Sequence, residues 1–213
     1  MTFTTASSSK SHPSNKRLHT LYLGIFLLVW IYTFIGTTDR INWLIENTLT
    51  VAFLSTLLVS YKKYPLSDLS YTFIFVYLLL HIYGAMYTYA ENPFGYWLQD
   101  VLHTSRNHYD RIVHFSFGFM LAYPMRDLFL NVFEFPAKYS WLLPAEITMS
   151  FSGLYEIIEW LIADVVYPSQ GTAYLGTQGD VWDAQKDMCL AFSGSVIILV
   201  VAFVCRKIVK KSI

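Results

Sequence analysis

Long apolar stretches separated by short polar segments dominate the chain from about residue 18 onward. Such stretches, about 20 residues long, recur six times, and about 20 residues of α-helix cross a hydrocarbon core of about 30 Å. The predicted spans are residues 21–35, 41–60, 70–90, 111–131, 141–163 and 187–204. Pro124 is expected to end or kink the fourth span. The pattern predicts an all-α, polytopic membrane protein with a bundle of about six transmembrane helices.

The composition agrees with this prediction and divides the chain into three parts. Charged residues make up 14% of the chain and hydrophobic residues 54%, whereas a soluble domain carries about 25% charged residues. Residues 1–17 are polar and rich in serine, which predicts a disordered N-terminal tail. We expect residues 18–206 to form the six-helix transmembrane domain and residues 207–213 a basic C-terminal tail.

Basic residues predict the orientation of the spans. Eleven of the 15 lysines and arginines fall on one side of the alternating spans: Lys10, Lys16, Arg17, Lys62, Lys63, Arg126, Lys138, Arg206, Lys207, Lys210 and Lys211. The side that is richer in lysine and arginine usually faces the cytoplasm, so both termini are expected there. The formal net charge of +0 hides this asymmetry and gives no reason to expect a nucleic-acid partner.

Acidic and imidazole side chains collect at the other ends of the predicted helices. Asp180, Asp183 and Asp187 recur at i, i+3 and i+7, so we expect them to share one helix face. Ionisable groups in a bilayer are costly and usually face the bundle interior, so groups on several helices at one depth are expected to meet. The candidate set is Asp110, Glu156, Glu159, Asp180, Asp183 and Asp187 as metal ligands, with His81 and His114 as acid–base residues.

Divalent cations would relieve the repulsion among such carboxylates. Hard cations favour oxygen ligands, and imidazole extends the choice to transition metals. We therefore expect a divalent metal, Mg²⁺, Mn²⁺ or Zn²⁺, with His114 or His81 as a further ligand or as a general acid–base. Arg106, Arg111 and Lys186 lie at the same depth and would attract an anionic head group.

Each candidate residue also has a simpler interpretation. Asp110 and Asp180 are placed to cap helices or to lie in a first helical turn, and the two histidines to be hydrogen-bonded core side chains. Glu156 and Glu159 are placed to pair with the basic residues at the same depth, and Asp187 to form a local ion pair. None of these interpretations predicts the shared depth, which favours a common site.

Four segments carry a likeness to a known family: "ENPFGYWLQD", "SRNHYDRIVHFSFG", "YEIIEW" and "YLGTQGDVWDAQKDM". The chain resembles the YjdF-like bacterial inner-membrane proteins, whose shared domain is one of unknown function, over roughly residues 20–205. The resemblance implies a multi-pass protein of the bacterial inner membrane, and it implies no substrate. Its motif positions point to Asp110, His114, Glu156, Glu159, Asp180, Asp183 and Asp187.

Three classes of function remain open from the sequence. The first is a divalent-metal-dependent enzyme that acts on a membrane lipid or an anionic head group at the outer leaflet. The second is an ion- or proton-coupled transporter or channel, although the spans show no inverted repeat. The third is a non-catalytic membrane assembly or lipid-interaction protein. The chain contains no Cys-x-x-Cys, His-Glu-x-x-His, P-loop or dinucleotide-binding motif.

Overall fold

A computed structural model describes residues 15–166, 168 and 175–211 of the chain. All regular structure in these ranges is helical, so the all-α prediction is confirmed for them. The described residues form seven α-helices: α1 (Lys16–Gly36), α2 (Arg40–Ser60), α3 (Asp68–Met86), α4 (Pro93–Leu102), α5 (Tyr109–Asp127), α6 (Ala137–Leu161) and α7 (Asp183–Lys211). One π-helical turn, Leu128–Val132, extends α5, and another, Ile162–Val166, extends α6.

Polar side chains determine where the first four helices begin. Asn15, Asp39, Ser67 and Asn92 each accept a hydrogen bond from a backbone N–H in the first turn of the helix that follows. Such caps satisfy backbone donors that have no partner inside the helix, and they are worth about 1 kcal/mol each. They explain why the chain can turn sharply between apolar helices.

The helix bounds differ from the predicted spans at several places. Helix α1 begins at Lys16, inside the predicted N-terminal tail, of which residues 1–14 lie outside the described residues. Helix α7 begins at Asp183 and continues to Lys211, into the predicted C-terminal tail. Helix α4 was not predicted, because its ten residues are too few for a span.

The long helices alternate in direction, so the bundle has two chemically different ends. At one end, the start of α3 meets the end of α5, where Ser67 N donates to Asp127 Oδ2 at 2.7 Å. At the same end the Arg126 guanidinium lies 3.8 Å from the centre of the Trp141 ring, which joins the end of α5 to the start of α6. We call this the basic end, and the opposite end, where α5 and α7 begin, the carboxylate end.

Helix α5 lies at the centre of the bundle and packs against α3, α6 and α7. Two glycines allow α5 and α7 to approach closely: a Cβ at Gly118 would overlap the backbone of Ala191, and one at Gly194 would overlap the backbone of Phe115. Small residues that bring backbones together are typical of helix pairs in membranes. The contact fixes the register between the two helices that carry Asp110, His114, Asp183 and Asp187.

Within the described ranges, four helices, α1, α2, α3 and α7, are long and apolar enough to cross a membrane. Their outward faces carry exposed apolar side chains, such as Leu28 (72% exposed) on α1 and Val59 (86%) on α2. Extended apolar surface of this kind is typical of a lipid-facing bundle rather than of a soluble monomer.

Candidate functional site

The packing of α5 on α7 brings three candidate residues together at the carboxylate end. Gly118 touches Ala191, so the residues one turn earlier on each helix, His114 and Asp187, lie side by side. Asp110 lies one further turn back, in the first turn of α5. One ligand atom from each of Asp110, His114 and Asp187 lies within 4.8 Å of the others. We call these three residues the acid–histidine group.

The geometry of the acid–histidine group suits a shared cation. Two ligands on opposite sides of an ion, with bonds of about 2.0–2.6 Å, are about 4–5 Å apart. Asp187 is 2% exposed, and its Oδ1 atom has no hydrogen-bond partner among the described residues. A buried carboxylate oxygen without a partner is costly unless it is protonated or bound to a cation.

Two glutamates of α6 lie against this group from the side. Glu156 Oε1 is 3.8 Å from His114 Nε2, and Asp110 Oδ1 is 3.5 Å from the same nitrogen. The Glu159 side chain interacts with those of Glu156 and Tyr155. Three helices therefore supply carboxylates around one imidazole.

A layer of ion pairs covers the acid–histidine group at the end of the bundle. We call this layer the rim, and it consists of Arg106, Arg111, Asp180, Asp183 and Lys186. Arg106 Nη2 lies 2.7 Å from Asp183 Oδ1, and Arg111 Nη2 lies 2.5 Å from Asp180 Oδ2. Lys186 Nζ is 2.6 Å from the same Asp180 oxygen. The rim bases therefore pair with Asp180 and Asp183. The simpler interpretation of Glu156 and Glu159 was that they pair with these bases, and the structure places other acids there.

Asp180 does not lie on the helix face predicted for it. Helix α7 begins at Asp183, and Asp180 belongs to the preceding turn, where Gly176 and Gly179 have φ values of +60° and +87°. Its Oδ1 accepts from Trp182 N at 3.1 Å, so it acts as a turn cap. The hydrogen bond from the Lys186 ammonium, aided by those from Trp182 N and Arg111, lowers the pKa of Asp180 to about 2.

Backbone and amide contacts hold the loop before α7 against the loop before α5. Asn107 N donates to Gln178 Oε1 at 2.9 Å, and Gln178 Nε2 donates back to Asn107 O at 3.0 Å. Arg106 Nη1 donates to Thr177 O at 2.5 Å, and Asn107 Nδ2 donates to Asn92 O, just before α4, at 2.9 Å. These contacts place the rim directly over the acid–histidine group.

A cavity of about 400 Å³ adjoins the acid–histidine group. Asp110, His114 and His81 line its polar side. Exposed apolar residues on α2 and α6, including Phe53 (38% exposed) and Phe151 (55%), line its other side. The cavity therefore opens between α2 and α6, on the apolar surface of the bundle.

Polar side chains from α2, α3, α6 and the turn after α3 support the cavity wall. His81 Nδ1 is 2.6 Å from the Tyr89 hydroxyl, which agrees with a hydrogen-bonded core histidine, although His81 also lines the cavity. The Tyr155 hydroxyl donates to Glu46 Oε2 at 3.0 Å. Glu46 is 6% exposed, so this bond gives a buried carboxylate of α2 a donor from α6.

The structure thus divides the predicted site residues into three sets. Asp110, His114 and Asp187 form one compact group, with Glu156 and Glu159 beside it. Asp180 and Asp183 lie in the rim, and His81 lies across the cavity. Sequence reasoning missed Tyr89, Asn107, Tyr155 and Gln178, because their roles depend on contacts between distant segments and no spacing indicates them.

Comparisons with known proteins agree with this membrane architecture. The family described as "Predicted membrane protein (DUF2238)" matches residues 18–208. An inner membrane protein, YjdF, of Escherichia coli (strain K12) is 36% identical over 185 residues, which cover 85% of this chain and 88% of that relative. No solved structure matches the chain.

Proposed function

Because the chain belongs to the DUF2238 family of membrane proteins, we propose that it is a multi-pass protein of the bacterial inner membrane with six spans. Helix α6 has 25 residues, and α5 with its π-helical turn covers residues 109–132. Both are about 36 Å long at 1.5 Å per residue, enough to cross the hydrocarbon core. The similarity to an inner membrane protein supports this location.

The distribution of charge supports an orientation with both termini in the cytoplasm. The basic end carries Lys16, Lys62, Lys63 and Arg126, and the side richer in lysine and arginine usually faces the cytoplasm. The acid–histidine group then lies near the outer leaflet. Helix α4, whose Trp97 is 56% exposed and Leu102 54% exposed, would lie along the outer interface.

We propose that the carboxylate end is the site of a divalent-metal-dependent enzyme that acts on a membrane lipid. The observations that carry this proposal are that buried Asp187 has an oxygen without a hydrogen-bond partner among the described residues, and that one ligand atom each of Asp110, His114 and Asp187 lie within 4.8 Å of one another. A divalent cation at this point would satisfy that oxygen and reduce the repulsion between carboxylates. When bound, it would polarise a substrate oxygen or activate a water molecule.

The cavity favours a lipid as the substrate. It opens on the apolar surface between α2 and α6, so a molecule dissolved in the bilayer reaches it without crossing water. His81 and His114 line the same cavity, and either imidazole is placed to accept or donate a proton. The rim bases are already engaged by Asp180 and Asp183, so attraction of an anionic head group would come from the metal.

Packing below the cavity gives transport less support. Helices α1, α3 and α5 meet there in a buried apolar cluster that includes Phe26, Leu78 and Leu121. A proton or cation pathway needs polar side chains or water along its length. In the non-catalytic alternative, the same ion site has a structural role. Only a test of lipid turnover separates this alternative from the enzymatic proposal.

A reconstitution experiment tests the enzymatic proposal. The full chain, in liposomes made from a bacterial lipid extract, is incubated with Mg²⁺, Mn²⁺ or Zn²⁺, and lipid species are followed by mass spectrometry. We expect one lipid class to be consumed with at least one of these metals, and chelation or Asp187→Asn to abolish the change. Asp100→Asn, at an exposed position on α4, is the matched control. Unchanged lipids with every metal would refute lipid chemistry and leave a structural ion site.

A further inference from the structure

We infer that a crevice at the basic end, enclosed by α1, α2 and α3, binds one acyl chain of an anionic phospholipid. The crevice has a volume of about 270 Å³. It lies at the other end of the bundle from the acid–histidine group, so the inference does not depend on the proposed enzyme.

The crevice lies between two sets of contacts that join α1 to α2. Near the turn, Trp30 Nε1 donates to Asn47 Oδ1 at 2.7 Å, and Trp43 Nε1 donates to Thr33 Oγ1 at 3.1 Å. At the basic end, a contact of 2.7 Å between His19 Nδ1 and the Tyr61 hydroxyl bridges the two helices again. The space between these contacts is the crevice.

Apolar side chains form the walls of the crevice along most of its length. Its lining includes Leu23, Phe26, Leu54, Leu57, Ile74 and Leu78. From Phe26 to Lys16 the wall of α1 extends about 15 Å, at 1.5 Å per residue. A narrow apolar slot of this depth, on the lipid-facing side of a bundle, suits a hydrocarbon chain.

The mouth of the crevice carries positive charge. Lys16 lines the mouth, Arg17 follows it, and Lys62 and Lys63 follow the lining residue Tyr61 in sequence. Two acids lie near this region, and both are already engaged. Asp68 lies 3.0 Å from His19 and accepts from Asn15 N at 3.1 Å, and Asp127 accepts from Ser67 N and from Ser70 Oγ, each at 2.7 Å. Basic clusters beside a membrane attract anionic lipids, so the mouth favours phosphatidylglycerol over phosphatidylcholine.

Native mass spectrometry of the delipidated full chain tests this inference. The protein is titrated with phosphatidylglycerol and, separately, with phosphatidylcholine of identical acyl composition. We expect one equivalent of phosphatidylglycerol to bind with at least about fivefold preference over phosphatidylcholine, since each basic residue contributes appreciably to binding of an anionic lipid. Equal binding of the two lipids would overturn the inference.

Paired variants locate the bound lipid. Leu54→Trp fills the crevice and should abolish the bound equivalent, whereas Leu44→Trp, on the same helix at a position 56% exposed, should not. Lys16→Gln should reduce the preference for phosphatidylglycerol, whereas Lys207→Gln, also at the basic end, should leave it unchanged. Lys16 is exposed, so this second pair decides the matter even if Leu54→Trp disturbs folding. The inference would be overturned if Leu54→Trp still bound one equivalent of phosphatidylglycerol and Lys16→Gln kept the full preference for phosphatidylglycerol over phosphatidylcholine.

Discussion

Replacement of Gly118 by alanine should separate α5 from α7. The new Cβ would lie 2.7 Å from the Ala191 carbonyl carbon and 2.9 Å from Ser195 N, whereas ordinary contact begins at 3.4 Å. The Ala191 carbonyl oxygen would lie closer still, so the extra separation needed is at least the 0.7 Å that the carbonyl carbon requires, which is 3.4 minus 2.7. Overpacking of this kind costs about 1–3 kcal/mol. At about 2–4 °C per kcal/mol for a chain of this length, the Tm should fall by roughly 2–12 °C.

The same substitution should weaken divalent-metal binding. The ligand atoms of Asp110, His114 and Asp187 already span up to 4.8 Å, near the limit of about 5 Å for ligands of one ion. His114 and Asp187 lie one turn from the Gly118 contact, so a further separation of about 0.7 Å would exceed that limit. Thermal unfolding in detergent and calorimetric titration with Mn²⁺ measure the two effects.

Gly24→Ala is the matched control for this prediction. Gly24 also lies inside a helix, but an added Cβ there would meet nothing within 4 Å. Alanine is favoured over glycine in helices by up to about 1 kcal/mol, so the control should melt at the wild-type temperature or slightly above it. If Gly118→Ala matched Gly24→Ala in both Tm and Mn²⁺ affinity, the close contact would not determine the geometry of the site.

Two further predictions concern hydrogen-bonded carboxylates. The pKa of Asp180 is lowered from 3.8 to about 2, chiefly by Lys186, so its stabilising contribution is present above about pH 4 and lost as the pH falls towards 2. The Tm difference between wild type and Asp180→Asn should therefore be constant from about pH 8 to 5 and shrink below about pH 4; a change between pH 5 and 8 would contradict this. Tyr155→Phe removes the donor to buried Glu46 and should cost about 1–3 kcal/mol in thermal unfolding. Tyr32→Phe, at a position 63% exposed, should leave the melting temperature unchanged. If Tyr155→Phe and Tyr32→Phe melted at the same temperature, the hydrogen bond to Glu46 would not be needed for stability.

Much of the architecture follows from the hydrophobic pattern. The all-α fold and the membrane character are confirmed, because long apolar runs signal helices regardless of their partners. The family likeness seen in four short motifs is confirmed by the match over residues 18–208. The six spans and the cytoplasmic termini stay predictions, since α5 and α6 carry the polar residues of the site and are less apolar than the other long helices.

The arrangement of the candidate site was less predictable. The spacing of Asp180, Asp183 and Asp187 predicted one shared face, but the glycine-containing turn ends before α7 begins at Asp183 and places Asp180 in the rim. The pairing of Arg106 with Asp183 joins residues 77 positions apart, a distance over which local sequence patterns carry no information. Helix α4 was missed because its apolar face has no span-length run.

Elemental analysis of the purified chain tests the central claim, which is that the acid–histidine group binds a divalent cation. The protein is equilibrated with Mg²⁺, Mn²⁺ or Zn²⁺, freed of loosely held ions by gel filtration, and compared with Asp187→Asn and with the surface control Asp100→Asn. We predict about one retained equivalent of one metal in the wild type and in Asp100→Asn, and loss of most of that metal in Asp187→Asn, because the substitution removes a charged oxygen ligand. Equal metal content in all three proteins, or none in the wild type, would contradict the claim.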